Sequence, residues 1–303
     1  TDIPCYNQST IIDYLTDYLN GKSVETYEFK PFYKGFTGNI SVIESTPSKY
    51  IVCGSYEIMN DTQIRITELP IGTWTDDYKK FLEDLLDKTK SPVRDFNDMS
   101  TDVSVDIVVK LTPGSISSIK GSITDPNYDG IHKYFKLVSS ISTTNMNAFD
   151  HAEHLQHYTS PTEILNQFIS IRLKCYEIRK QYIIKQINTD TILLQNKSNY
   201  ISAILNDKID LRKKSKTTIN QLLVEYGFAV IDGDTEFKYL TKMPMDSVSE
   251  ENYNELNSRL AEKQKNLHII ENTTIKQLWL KDLEELKQFI ITTNKKNVKI
   301  SQH

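Results

Sequence analysis

The chain has 303 residues, with 36 Lys or Arg against 40 Asp or Glu, a formal net charge of −4 and a pI near 5.9. That length exceeds one compact core and predicts two or more substructures. The negative balance excludes bulk attraction to nucleic acid, so such contact must come from local patches, and no apolar run approaches the ~20 residues of a membrane span. Cys5, Cys53 and Cys175, odd in number and widely spaced, predict free thiols in a reducing compartment. The opening Thr1-Asp2-Ile3-Pro4, with neither Met nor a signal peptide, reads as a segment cut from a longer chain.

In chain order, Ser9 or Thr10 is expected to cap a short helix with Ile11, Ile12, Leu15, Tyr18 and Leu19 on one face, ended by Gly21. From Tyr27 to Leu69 the pattern is β, with runs NISVIE, YIVCGSYEI and TQIRITEL separated by turn clusters at Thr46-Pro47-Ser48 and Asn60-Asp61. Pro70 closes the last of these. Thr75 then suits the N-cap of a helix with Asp76 and Asp77 at its positive end and Tyr78, Phe81, Leu82 and Leu85 on its apolar face. Trp74 reads as packed, and Glu68 as a partner of Arg65 or a nearby Lys. SVDIVVKL, residues 104–111, suggests a buried strand.

From Pro161 the character changes. Apolar residues recur at Ile164, Phe168, Ile171, Cys175, Ile178 and Tyr182, a 4-3-4-3-4 spacing that predicts the seam of a paired long helix. A second stripe runs Tyr253, Leu256, Leu260, Lys263, Leu267 and Ile270, interrupted by one Lys, and a third runs Trp279, Leu283, Leu286 and Ile290. Two long seams flanking a compact 200–250 region predict an antiparallel helical arm with a small globular tip. The fold class is α+β.

Three places suggest chemistry. His151, His154 and His157 with Asp150 have metal-ligand residue types, but their flanks predict a solvated turn over a metal site. Asp232, Asp234 and Glu236 fail as a calcium loop, because position six is Phe237 and position twelve Met243; Asp232-Gly233 reads as a hairpin turn between 229–231 and 236–239. Lys30-Pro31-Phe32-Tyr33-Lys34-Gly35-Phe36-Thr37-Gly38 fits either a surface tracking a phosphate backbone or a packed hairpin with exposed lysines. No phosphate loop and no nucleophile elbow occurs.

Taken together, several segments resemble the type IIA DNA topoisomerases of eukaryotes and large DNA viruses. They are Tyr33-Lys34-Gly35-Phe36-Thr37-Gly38-Asn39-Ile40; Ile66-Thr67-Glu68-Leu69-Pro70 with Thr73-Trp74-Thr75; Phe135-Lys136-Leu137; and Asn145-Met146 with Phe149-Asp150. The match continues in Arg172-Leu173, Tyr176 and Arg179-Lys180, in Tyr239-Leu240 with Met243-Pro244, and in Leu278-Trp279 with Asp282-Leu283. Their collinear order is far more specific than any one of them. The compact spacing and the lack of a long acidic insertion near 232–238 are similar to the viral members.

The resemblance implies the tail of a winged-helix domain at 1–26, a β-rich tower at 27–160, coiled-coil arms at 161–205 and 247–275, a dimeric exit-gate tip at 206–246 and a final helix at 276–303. It implies double-stranded DNA and a second copy of the chain as partners, and no membrane. Lys263 and the run Arg212-Lys213-Lys214-Ser215-Lys216 fit a gate that must open, but fit ordinary solvated positions better. Ile3 matches a residue that wedges between base pairs; Lys30 and Lys34 are the backbone-contact candidates. Magnesium and ATP belong to the parent enzyme and not to this stretch, which has no Arg-Tyr nucleophile pair and no E-G-D-S segment, so no catalytic or metal residue is expected in it. A coiled-coil interaction module with no DNA role is the rival reading. The expected location is a reducing intracellular compartment, the host cytoplasm for a viral protein and otherwise the nucleus.

Overall fold

A computed structural model describes residues 2–123, 125–231 and 233–300, the side chains of 245 and 294–300 excepted. The fold is α+β. The chain divides into two compact units, Thr1–Phe168 and Ile169–His303.

The first unit opens with α1 (Gln8–Leu19), which buries Ile12, Tyr14, Leu15 and Leu19. Its N-cap is Asn7, not Ser9 or Thr10: the Asn7 side-chain oxygen accepts from the Ser9 amide at 2.9 Å, and Ser9 already lies inside the helix. Strands follow, interspersed with short helices. They are β1 (Asn39–Ile43), β2 (Thr46–Cys53), β3 (Ser55–Asn60), β4 (Gln63–Glu68), then α2 (Thr75–Leu86), β5 (Val93–Asp98) and β6 (Ile107–Leu111). After α3 (Ser115–Lys120) and α4 (Gly130–Tyr134) come β7 (Val138–Ser142), β8 (Met146–Phe149) and β9 (Leu155–Tyr158). Their pairings are antiparallel, in sheets ordered β1-β2-β7, β3-β4-β6-β5 and β8-β9.

The expected single strand over 50–58 is two strands in two sheets, parted at Gly54. A Cβ at Gly54 would lie 2.3 Å from the Glu68 carbonyl oxygen, and its amide donates to the Leu137 carbonyl at 2.8 Å. Only glycine lets the chain cross between the sheets so closely. Strand β6 lies between β4 and β5 with Ile107, Val109 and Leu111 buried, as its β-branched run predicts. Against this sheet α2 packs Tyr78, Leu82 and Leu85, and the Tyr78 hydroxyl donates to the buried Phe135 carbonyl at 2.7 Å.

The entry to α2 differs from expectation by one residue. Trp74, not Thr75, is the N-cap; its extended backbone leaves the indole 77% exposed, and no side chain caps the helix. The Asp76 and Asp77 carboxylates in the first turn supply the favourable charge there instead.

The second unit contains most of α5 (Pro161–Leu205), then α6 (Lys216–Glu225), α7 (Lys238–Thr241), α8 (Glu250–Asn272) and α9 (Ile275–Ile300). Helices α5 and α8 run antiparallel: Lys180 Nζ donates to the Glu271 and Thr273 carbonyls, Asp190 meets Lys263 at 2.7 Å, and Ser198 donates to Asn257 at 2.7 Å. On α8 every position of the expected stripe, from Tyr253 to Ile270, is buried or half-buried. On α5 the expected stripe is displaced. Ile178 and Tyr182 are 70% and 58% exposed and Cys175 is exposed, whereas Ile169 and Tyr176 are buried. Apolar residues occupy two neighbouring faces of α5 at the same spacing, and the face carrying Tyr176 wins because ring and hydroxyl both find partners on α9.

At the end of α5 a separate small core gathers Tyr200, Ile209, Leu223, Phe228, Phe237 and Leu240. The hairpin expected over 229–239 is absent among the described residues. Phe237 takes a left-handed backbone (φ 50°), buries its ring and leads into α7, and the Tyr239 hydroxyl closes the loop onto the Ala229 carbonyl at 2.6 Å. Burying Phe237 and Leu240 together requires a helical turn, not the alternating faces of a strand. Asp232 lies outside the described residues. No described helix is long and apolar enough to cross a membrane.

Candidate nucleic-acid interface

The segments carrying Ile3 and the two lysines are tied together. Tyr6 and Pro31 form an isolated antiparallel bridge, and the Phe32 amide donates to the Cys5 carbonyl at 2.8 Å. The antiparallel sense puts Ile3 and Lys34 on the same side of that bridge. Ile3 is half-buried, and Asn145 Nδ2 donates to the neighbouring Asp2 carboxylate at 2.7 Å. Tyr6 packs edge-on against Phe29 at 6.2 Å, and Phe29 against Tyr14 at 5.4 Å, which anchors this segment on α1. Burial, with the nearby Tyr50 and Tyr33, pushes the Tyr6 hydroxyl up to about 12, so it stays a neutral donor.

Lys30 is exposed and 3.6 Å from Glu28. Lys34 is exposed at a turn closed by the Phe36 amide on the Tyr33 carbonyl at 3.2 Å, with Gly35 at φ +89°. The packed-hairpin alternative for 30–38 is not what forms: only Pro31 takes part in a bridge, and the lysines project from loop.

Glu68 does not pair with Arg65. Arg65 on β4 makes a two-pronged contact with Asp106, the residue before β6, both distances 2.7 Å, and Glu68 accepts from Thr37. No local pattern could have shown this, because Thr37 is 31 positions away.

The three histidines do not converge. His151 lies in the turn between β8 and β9, His154 is 3.7 Å from Asp150, and His157 Nε2 lies 2.9 Å from the Thr144 carbonyl oxygen. Among the described residues no three His, Cys, Asp or Glu side chains are grouped to hold a metal ion. Asp234 instead accepts from the amides of Glu236 and Tyr239, both at 3.3 Å.

Two of the motif segments far apart in sequence do meet, within the helical unit. Tyr176 stacks on Trp279 with centroids 5.7 Å apart, and Asp282 accepts from the Tyr176 hydroxyl at 2.6 Å and from Arg179 Nη1 at 2.7 Å. Partial burial works to raise the Asp282 carboxyl, but the bonds from Tyr176 and Arg179 outweigh it and hold the group below the usual carboxylate range. A depressed folded pKa stabilises above the unfolded value and is lost as pH falls through the folded one. The α5–α9 contact is therefore expected to weaken below about pH 4. Asp282→Asn should flatten that acid limb, as read from unfolding of the helical unit across pH.

The chain as a whole matches a known family. Residues 1–284 match the family model for the A subunit of DNA gyrase/topoisomerase IV. The chain belongs to that family. It is 31% identical to DNA topoisomerase 2 of Plasmodium falciparum over 321 aligned positions, which cover 95% of this chain and 22% of that protein. The Arabidopsis thaliana DNA topoisomerase 2 is also 31% identical, over 100% of this chain and 22% of its own length; the Bombyx mori protein is 36% identical over 76% of this chain and 14% of its own. The crystal structure of the Plasmodium falciparum topoisomerase II DNA-binding, cleavage and re-ligation domain superposes with a TM-score of 0.86 at 32% identity, covering 99% of this chain and 42% of that one. The chain thus spans about a fifth of the length of the full relatives it matches.

Proposed function

We propose that this chain is the tower and exit-gate portion of a type IIA DNA topoisomerase, an enzyme that passes one duplex through a transient break in another. In this reading 27–160 form the tower, 161–205 and 247–275 the arms, and 206–246 the tip where two copies meet. The carrying observation is the division of one chain into two parts of different character. One is a β-rich unit with Ile3, Lys30 and Lys34 beside a single bridge; the other is an antiparallel helix pair with its own small core at one end. Ile3 acts as a wedge, whose unstacking cost of roughly a few kcal/mol is offset by the larger surface a bent duplex touches. Lys30 and Lys34 contact the backbone as point charges. Val224, Tyr226 and Val230, exposed by 50% or more around the tip, support self-association there.

In this reading magnesium and ATP chemistry are supplied by other parts of the parent enzyme. The short 232–238 segment supports a viral source and action in the host cytoplasm. The free thiols of Cys5, Cys53 and Cys175 support a reducing location.

Duplex affinity measured against salt tests the reading. The logarithm of the binding constant is expected to fall linearly with that of salt concentration, and Lys34→Ala should reduce the slope by about one. No salt-dependent affinity would favour the interaction module without a DNA role. Light scattering at micromolar concentration is expected to report a dimer.

A further inference from the structure

Glu68 ends β4, where pairing with Ser55 of β3 and the close approach of Gly54 to its carbonyl fix its backbone. Its Oε2 accepts two hydrogen bonds from a single residue, the Thr37 amide at 3.0 Å and the Thr37 hydroxyl at 2.8 Å. Thr37 directly follows the turn that carries Lys34. On its other side Gly38 is closed in, since a Cβ there would lie 2.2 Å from the Cys53 carbonyl oxygen and 2.4 Å from the Phe36 ring. The base of the turn is therefore held at two points by the β2–β3 junction and the end of β4, while its tip is exposed. Lys34 makes no ion pair among the described residues, so its charge is free for an outside partner.

We propose that Glu68 is a positioning residue for Lys34, clamping the 34–37 turn so that the ammonium is presented to a duplex phosphate in a fixed place. The inference rests on the duplex-bracing reading above. A carboxylate near a phosphate-binding surface repels the ligand, so its presence needs a compensating task. Accepting both Thr37 hydrogen bonds on one side-chain oxygen is such a task, because it fixes the base of the turn at a single point. Lysine is a flexible, strongly hydrated cation, and the place its charge occupies depends on the backbone that carries it. Both Thr37 bonds fall on one oxygen, so the carbonyl oxygen of a glutamine can take both, whereas alanine can take neither.

The test measures duplex binding against salt for Glu68→Ala, Glu68→Gln, Lys34→Ala and the Lys34→Ala/Glu68→Ala pair, with amide hydrogen exchange at Thr37 in each. Glu68→Ala is expected to speed exchange at Thr37, to lower the salt slope by up to about one, and to add nothing to Lys34→Ala. Glu68→Gln should restore both readouts. Unchanged Thr37 exchange in Glu68→Ala overturns the clamp. Faster exchange with an unchanged slope, or losses that simply add to those of Lys34→Ala, overturns the positioning role. If Lys34→Ala itself leaves the slope intact, the duplex-contact reading of Lys34 fails and the inference with it, and the Thr37 exchange then reports the clamp separately.

Discussion

Gly130→Ala is expected to destabilise the β-rich unit by about 3 kcal/mol or more, at the upper end of what overpacking costs. A Cβ at Gly130 would sit 1.8 Å from the Ile119 carbonyl oxygen and 2.4 Å from Ser122 Oγ. The hydroxyl can rotate aside, but the carbonyl belongs to the last turn of α3 and cannot. Relief requires α4 to move away from α3, which drags Ile131 and Phe135, 1% and 0% exposed, out of the core. It also breaks the cap of α4, where Asp129 accepts from the Ile131 and His132 amides at 3.1 Å and from the Tyr56 hydroxyl. Gly121→Ala is the control, nine positions earlier. Its nearest neighbour would be the Ser117 carbonyl oxygen at 3.4 Å, and its backbone is right-handed helical, so alanine there should be neutral or stabilising by about 0.4–1 kcal/mol. Chemical denaturation of both variants checks the contrast; equal behaviour would mean that the α3–α4 approach is not held as described.

Trp279→Ala is the corresponding test of the helical unit, with an expected loss of about 3–5 kcal/mol from its stability. The indole is 3% exposed and lies flat on Tyr176, and Leu283 is buried one turn further along α9. Removing it opens a cavity beneath the tyrosine and frees the ring that aims the Tyr176 hydroxyl at Asp282. The guanidinium carbons of Arg172 and Arg179, 5.2 and 5.5 Å from the Tyr176 ring centre, lose a fixed partner as well. A chain of two compact units need not unfold in one step, so the effect should appear as a lowered helical transition with the β-rich transition in place. The sequence contains two Trp. The variant therefore retains only the exposed Trp74, and the blue-shifted emission of a buried indole should vanish with it. An unmoved helical transition would show that the α5–α9 contact contributes little.

The fold was legible in sequence wherever one periodicity held alone. The β-branched run ending at Leu111, the apolar face of α2 and the stripe on α8 all take the places their spacing predicts. Legibility failed where two patterns competed or where a partner was remote. Helix α5 carries two apolar faces of equal spacing, and only the presence of Trp279 and Asp282 on α9 decides between them. The 229–239 stretch has hairpin turn residues, yet the small core demands Phe237 and Leu240 on one side. At the candidate interface the collinear motifs pointed to the right family, and the lysines of the 30–38 loop are exposed. The Glu68–Thr37 pairing was invisible, because a carboxylate at a strand end carries no signature of a hydroxyl 31 residues before it.

The Asp190–Lys263 pair has a consequence for how the helix pair measures length. In a seam that is otherwise largely aliphatic, such a pair contributes little net stability, but it penalises misalignment. Sliding α8 along α5 by one heptad, about 10 Å, would face Lys263 with Ile183 or with Lys197, an apolar side chain or a like charge. The Ser198–Asn257 bond would be lost in the same slip. The two polar contacts therefore act as a vernier, setting the distance at which the small core is carried from the α8–α9 corner at Thr273.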